Sequence, residues 1–132
     1  MNNIVDQRAK RVTSFKDLDV WKMGIEIVDL VYKITSKFPS EERFGLSSQM
    51  QRAAVSVPSN IAEGFARQHT KEYQQSCYIA LGSCSELETH LIIAQRRSYL
   101  SEGNFSTLTQ LLNSESRMLM NLIKSLRKRL HL

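Results

Sequence analysis

The residues able to do chemistry are few in kind and awkward in spacing. Glu86, Glu88 and His90 fall in one stretch, Glu86-Leu-Glu-Thr-His90. A di-iron carboxylate centre in a helical bundle needs inward Glu from two helices and Glu-x-x-His from two others. Here the glutamates stand four and two residues before His90, and no second such pair follows. Glu86 and His90 are instead expected as a hydrogen-bonded surface or interface pair. Cys77, Cys84, His69, His90 and His131 form no C-x-x-C or H-x-x-x-H grouping, so they lack the zinc pattern. Serines are plentiful, yet none sits in G-x-S-x-G, and a thiol on an apolar seam has its pKa raised rather than lowered. Gly82-Ser83 is no phosphate-cradling loop; it lies inside a helical pattern and reads as a close-packing point. The expectation is a protein without catalytic residues, cofactor or metal: not an enzyme.

The most unusual constellation is polar. Gln49, Arg52, Ser56, Asn60, Glu63 and Arg67 share one helical face, within and around RAAVSVPSNIAEGFAR. The same stretch is stripped of bulk at Ala53, Ala54, Ser56, Ser59, Ala62 and Gly64, which lets another backbone come close and leaves Arg52 and Asn60 partly buried. Arg52, Ser56, Pro58, Asn60, Glu63, Gly64 and Arg67 are therefore candidates for a packing or intersubunit motif. Pro58 and Gly64 both weaken a helix interior, by roughly 3 and about 1 kcal/mol relative to alanine. Pro58 frees the Ala54 carbonyl, which predicts a kink or restart near Val57, with Ser56 near enough to help satisfy the freed backbone.

Four long periodic segments position these residues. Two prolines and five glycines leave few breaks in 132 residues. The first segment opens at Ser14-Phe15-Lys16-Asp17, an S-x-x-D start signal, and runs to Phe38 before Pro39 stops it. It carries two apolar stripes, Leu18, Trp21, Ile25, Val28 and Tyr32 beside Val20, Met23, Ile27, Val31, Ile34 and Phe38. The second begins between Ser40 and Leu46 and ends near Arg67, its core stripe Leu46, Met50, Ala53 or Ala54, Val57, Ile61 and Phe65. Thr70 is the expected cap of a third, whose seam of Tyr73, Cys77, Ala80, Cys84, Leu87, Leu91 and Ala94 keeps an unbroken alternation of four and three. Ser101-Glu102-Gly103-Asn104 is the expected last turn. The fourth helix aligns Phe105, Leu108, Leu112, Leu119, Leu122 and Leu126, with Glu115 interrupting the stripe. Short turns between long helices predict an all-α, antiparallel up-down-up-down four-helix bundle.

Helix one has more apolar surface than a solitary bundle needs, and helix three adds Ile79, Leu81, Ile92 and Ile93 outside its seam. Cover by another copy of the chain is the expectation. The formal charge is +5, and the excess gathers at the ends: Arg8, Lys10 and Arg11, then Lys124, Arg127, Lys128 and Arg129. That distribution suits a nucleic-acid footprint and also serves solubility. The organisation expected is a basic tail over residues 1–14 and a bundle domain over 15–132. No membrane span or secretory signal is readable, and Cys77 and Cys84 suit buried thiols in a reducing compartment, which places the chain in the cytoplasm.

Phe15-Lys16-Asp17-Leu18-Asp19-Val20-Trp21, Phe38-Pro39, Phe44-Gly45-Leu46 and the run from Gln49 to Gly64, followed by Gly82-Ser83 and Glu86-Leu87-Glu88, resemble the bacterial four-helix bundle proteins called 23S rRNA-intervening-sequence proteins. The resemblance covers about residues 15 to 125. It implies an antiparallel four-helix bundle assembled into a homopentamer. Some members are encoded within insertions of large-subunit ribosomal RNA genes. A related branch, the accessory variability proteins of diversity-generating retroelements, forms basic pentameric barrels that bind a reverse transcriptase and nucleic acid. The resulting expectation is a non-enzymatic homo-oligomeric scaffold that binds RNA or DNA through Arg8, Lys10, Arg11, Lys124, Arg127, Lys128 and Arg129. The alternative is a protein-interaction adaptor without nucleic-acid binding, for example an accessory subunit of a reverse transcriptase.

Overall fold

A computed structural model of the chain describes residues 11–130. The described residues form four α-helices and no strand: α1 (Asp19–Thr35), α2 (Leu46–Arg67), α3 (Thr70–Arg96) and α4 (Glu102–Leu130), with 3-10 turns at Phe15–Asp17 and Ser40–Glu42. Arg8, Lys10 and His131 lie outside the described residues.

The ends of the helices show where local chemistry overrides a periodic pattern. Ser14 does cap, but what it caps is the 3-10 turn. Its hydroxyl accepts from the Lys16 amide, while Asp17 accepts from the Thr13 and Ser14 amides at 3.0 and 3.1 Å. These bonds also hold the Asp17 carboxyl below its usual range. Leu18 is extended, so α1 proper begins only at Asp19. It ends at Thr35 rather than Phe38. Thr35 and Ser36 hydroxyls donate to the Val31 and Lys33 carbonyls, and a residue before proline is biased away from the helical region.

The α2–α3 connection is two residues long. Gln68 takes a left-handed conformation (φ 60°), and His69, not Thr70, occupies the N-cap position without a side-chain capping bond. The last connection also differs from expectation. Ser98 turns the chain at φ 60°, its amide donating to the Gln95 carbonyl and the Tyr99 amide to that of Ala94, a Schellman closure. Ser101 then accepts from the Asn104 amide at 3.1 Å, so Glu102, Gly103 and Asn104 form the first turn of α4 instead of a loop.

The core runs the length of the bundle. Ile27 and Val31 of α1, Met50, Val57 and Ile61 of α2, Leu87 and Leu91 of α3, and Leu108, Leu119 and Ile123 of α4 are fully buried. The α3 seam is buried from Cys77 to Ala94, with Tyr73 half-buried at its start. On α4, Ile123 rather than Leu122 is the core residue, and Glu115 does not interrupt the stripe: it is buried within it. Burying side chains of this size contributes roughly 1.5–3 kcal/mol each.

Two glycines set the closest approaches. A Cβ on Gly64 would stand 2.7 Å from the Ser76 Cβ, so only glycine lets α2 and α3 meet there. A Cβ on Gly24 would lie 3.1 Å from the Glu115 carboxylate and 3.2 Å from the Pro58 ring. Gly82, by contrast, is exposed and faces open space; the buried member of that dipeptide is Ser83. Nor does α2 restart at Pro58. The helix continues unbroken, with the proline buried on the side facing α1.

Candidate functional site

Ser56 projects from the middle of α2 toward α3, and its hydroxyl lies 2.8 Å from that of Ser83. Asn60, one turn on, donates its amide to the Ser56 carbonyl and hydroxyl at 2.8 and 2.9 Å. Asn60 is thus half-buried and partnered, and Ser56 is engaged with Ser83 and Asn60 rather than with the carbonyl that Pro58 frees. Arg52 is exposed, against the expectation of partial burial. With Gln49, Ala53, Ser56, Ser83 and Glu86 it lines an open groove of about 400 Å³ between α2 and α3. Arg52 also borders a second groove, shared with Tyr32, Gln51 and Val55 on the α1 side.

The remaining members of the stripe are exposed. Arg67 sits 3.7 Å from Glu63 and 3.6 Å from Glu72, each partner about half exposed or more, a geometry that contributes little to stability. Glu86 and His90 are asymmetric. His90 is buried with its Nδ1 unpartnered, Glu86 is exposed, and the 3.8 Å between Nε2 and Oε2 is too long for the hydrogen bond expected from their spacing.

The basic end is built by α4. Lys124, Arg127, Lys128 and Arg129 lie in its last turns and are all exposed. Cations here are favoured by the unsatisfied carbonyls of the helix terminus. Arg127 donates to the Tyr78 hydroxyl at 2.6 Å, and Arg129 acts on Tyr73, so the end of α4 lies beside the start of α3. Arg67, through Glu72, and the Phe65–Tyr73 ring contact at 6.1 Å bring the end of α2 to the same place. Arg11 is exposed ahead of the Ser14 cap. Tyr78 had only its helical register to mark it, and Ser83 was marked as half of the Gly82-Ser83 packing point but not as a hydrogen-bond partner; each faces a polar residue of a neighbouring helix.

The thiols are poorly suited to chemistry. Cys77 and Cys84 are buried and free, and burial pushes both up to about 12, far from the thiolate a nucleophile needs. Among the described residues, no group of three or more His, Cys, Asp or Glu could hold a metal ion, and no helix is long and apolar enough to cross a membrane.

Several large apolar side chains remain uncovered. Ile79, Ile92 and Ile93 of α3 are 40–49% exposed, with Tyr32 of α1 and Val55 of α2 similar. Phe44, in the α1–α2 connection, is 89% exposed, its ring 5.5 Å from the Arg43 guanidinium.

The chain is therefore an all-α protein of the four-helix bundle class, whose polar features lie on helix faces and at a basic helix end. Residues 16–121 match the family described as 23S rRNA-intervening sequence protein, and the chain belongs to that family. Its fold is similar to the crystal structure of a protein of unknown function from the S23 ribosomal protein family of Bacteroides thetaiotaomicron. The TM-score is 0.74 at 22% identity, over 80% of this chain and 95% of that one. No curated protein matches the chain.

Proposed function

We propose that the protein is a non-enzymatic, cytoplasmic, homo-oligomeric scaffold that binds RNA or DNA through basic residues repeated around the assembly. The observation that carries this reading is that the basic turns of α4 meet the start of α3, where Arg127 bonds Tyr78 and Arg129 acts on Tyr73, while Arg67 at the end of α2 pairs with Glu72 beside them. An antiparallel up-down-up-down arrangement would bring the start of α1, with Arg11 before it, to that same end. The uncovered isoleucines of α3 favour self-association, and the family resemblance favours a pentamer. The sealed thiols favour a non-enzymatic role.

Repetition gives the charge its effect. If each of five subunits supplies two phosphate contacts, about ten counterions are released on duplex DNA, and log affinity falls against log salt with a slope near −0.9 per contact. Reversing the charge of Lys124, Arg127, Lys128 and Arg129 should abolish retention of total RNA at ~50 mM salt without changing the oligomer mass. Binding that survives the reversal would assign the contact to another surface. Absence of binding by the unaltered protein at that salt would favour the protein-interaction adaptor instead, for which exposed Phe44 and the α2–α3 groove are the surfaces on offer.

A further inference from the structure

Glu115 sits on the buried stripe of α4 with no exposed surface, and among the described residues neither carboxylate oxygen has a hydrogen-bond partner. All four helices converge near it. Gly24 of α1 leaves the space its Oε2 occupies, Pro58 of α2 presents its ring to the same point, and Cys84 of α3 lies within electrostatic reach. Neither helix neighbour can supply a side-chain donor: Gly24 has no side chain and Pro58 lacks even an amide hydrogen. A carboxylate placed here would be uncompensated, whereas the neutral acid loses only its hydration.

We propose that Glu115 is a proton-operated latch at this four-helix junction: as a neutral acid it lets α1 close over α4, and as a carboxylate it forces that seam to open. The seam between α1 and α4 is the least extensive of the four interfaces between neighbouring helices, so it is where an unfavourable buried charge is relieved most easily. Gly24 makes the closure possible, because any side chain there would press on the carboxyl.

Among the described residues no charged group holds the carboxyl in its ionised form. From α3 the titratable neighbour is Cys84, itself pushed up to about 12 and neutral, with Glu88 acting on that thiol; Gly24 and Pro58 do not titrate. Burial alone pushes Glu115 from 4.5 up to about 8. The sign follows from linkage. The unfolded chain loses this proton near pH 4.5 while the folded bundle keeps it to about pH 8, so folding is progressively disfavoured between those values and the loss levels off above them.

The test uses the full chain and its Glu115→Gln variant, which keeps the shape and cannot ionise. Melting temperature is followed from about pH 5 to about pH 9, together with amide exchange in α1 normalised for the chemical rate. The unaltered protein should lose melting temperature over that range, with α1 exchange rising near pH 8, and the variant should show roughly half the loss or less. A carboxyl-carbon NMR titration of Glu115 in the unaltered protein decides the matter even if the variant fails to fold. A midpoint in the ordinary carboxylate range, or identical pH profiles for the two proteins, would overturn the latch.

Discussion

The buried stripes of α3 and α4 have closely similar spacing and opposite chemistry. On α3, Cys77, Ala80, Cys84, Leu87, Leu91 and Ala94 are all small or apolar; on α4, Leu108, Leu112, Leu119, Ile123 and Leu126 flank Glu115 at the centre. Periodicity decides which positions a bundle buries; it does not require that every buried side chain favour burial. The α3 seam is small or apolar throughout, with buried Ser83 and His90 beside it, while the α4 stripe carries within it one group that costs free energy as soon as it ionises. That cost falls where Gly24 of α1 faces both the Glu115 carboxyl and the Pro58 ring, so it sits at a junction rather than at a frayed end.

The largest effect should come from damaging the favourable stripe. Leu87→Ala removes a fully buried side chain and should lower the unfolding free energy by about 2–5 kcal/mol in urea titration. A loss under ~1 kcal/mol would mean that the α3 seam collapses around the gap and is less rigidly packed than its burial indicates. The opposite sign is expected on α4. Glu115→Leu should raise stability by about 1–3 kcal/mol above pH 8, with most of the gain gone near pH 5, where the native side chain is already neutral. Destabilisation by this change at high pH would erase the contrast between the two stripes. Arg67→Ala should be the smallest change, within a few tenths of a kcal/mol, because both its ion pairs are exposed.

The four helices and the α3 seam were legible because apolar spacing is a direct record of burial. What the spacing hid was chemical. Glu115 stood at a core register between Leu112 and Leu119, but a carboxylate is so seldom buried unpaired that it read as a gap in the stripe. Gly24 likewise passed unnoticed because nothing local distinguishes a glycine that admits a carboxyl from one that merely tolerates helix. Pro58 and Gly64 were visible as helix breakers, yet the helix runs through both. Their partners, Gly24 and Ser76, come from other helices and cannot be read from the chain's local order. The turns failed for a related reason: Ser98 and Ser101 divide left-handed turning from capping, and serine is compatible with either.

At the candidate site, the polar stripe of α2 was legible as a stripe, but not its division of labour. Ser56 and Asn60 are tied inward to Ser83, while Arg52 and Arg67 stay at the surface. The basic residues of α4 were plain in the sequence, but their neighbourhood with Arg67, Tyr73 and Tyr78 required the fold.

In the proposed function, charge repeated around an assembly, rather than any one chain, holds nucleic acid. The most direct measurement is the salt dependence of binding to a labelled DNA duplex, made on a sample whose mass is determined by light scattering in the same buffer. A multimeric mass with a log–log slope near −9, about ten phosphate contacts for the whole particle, is the predicted result. A monomer mass, or a slope of about −2 or shallower, would contradict it.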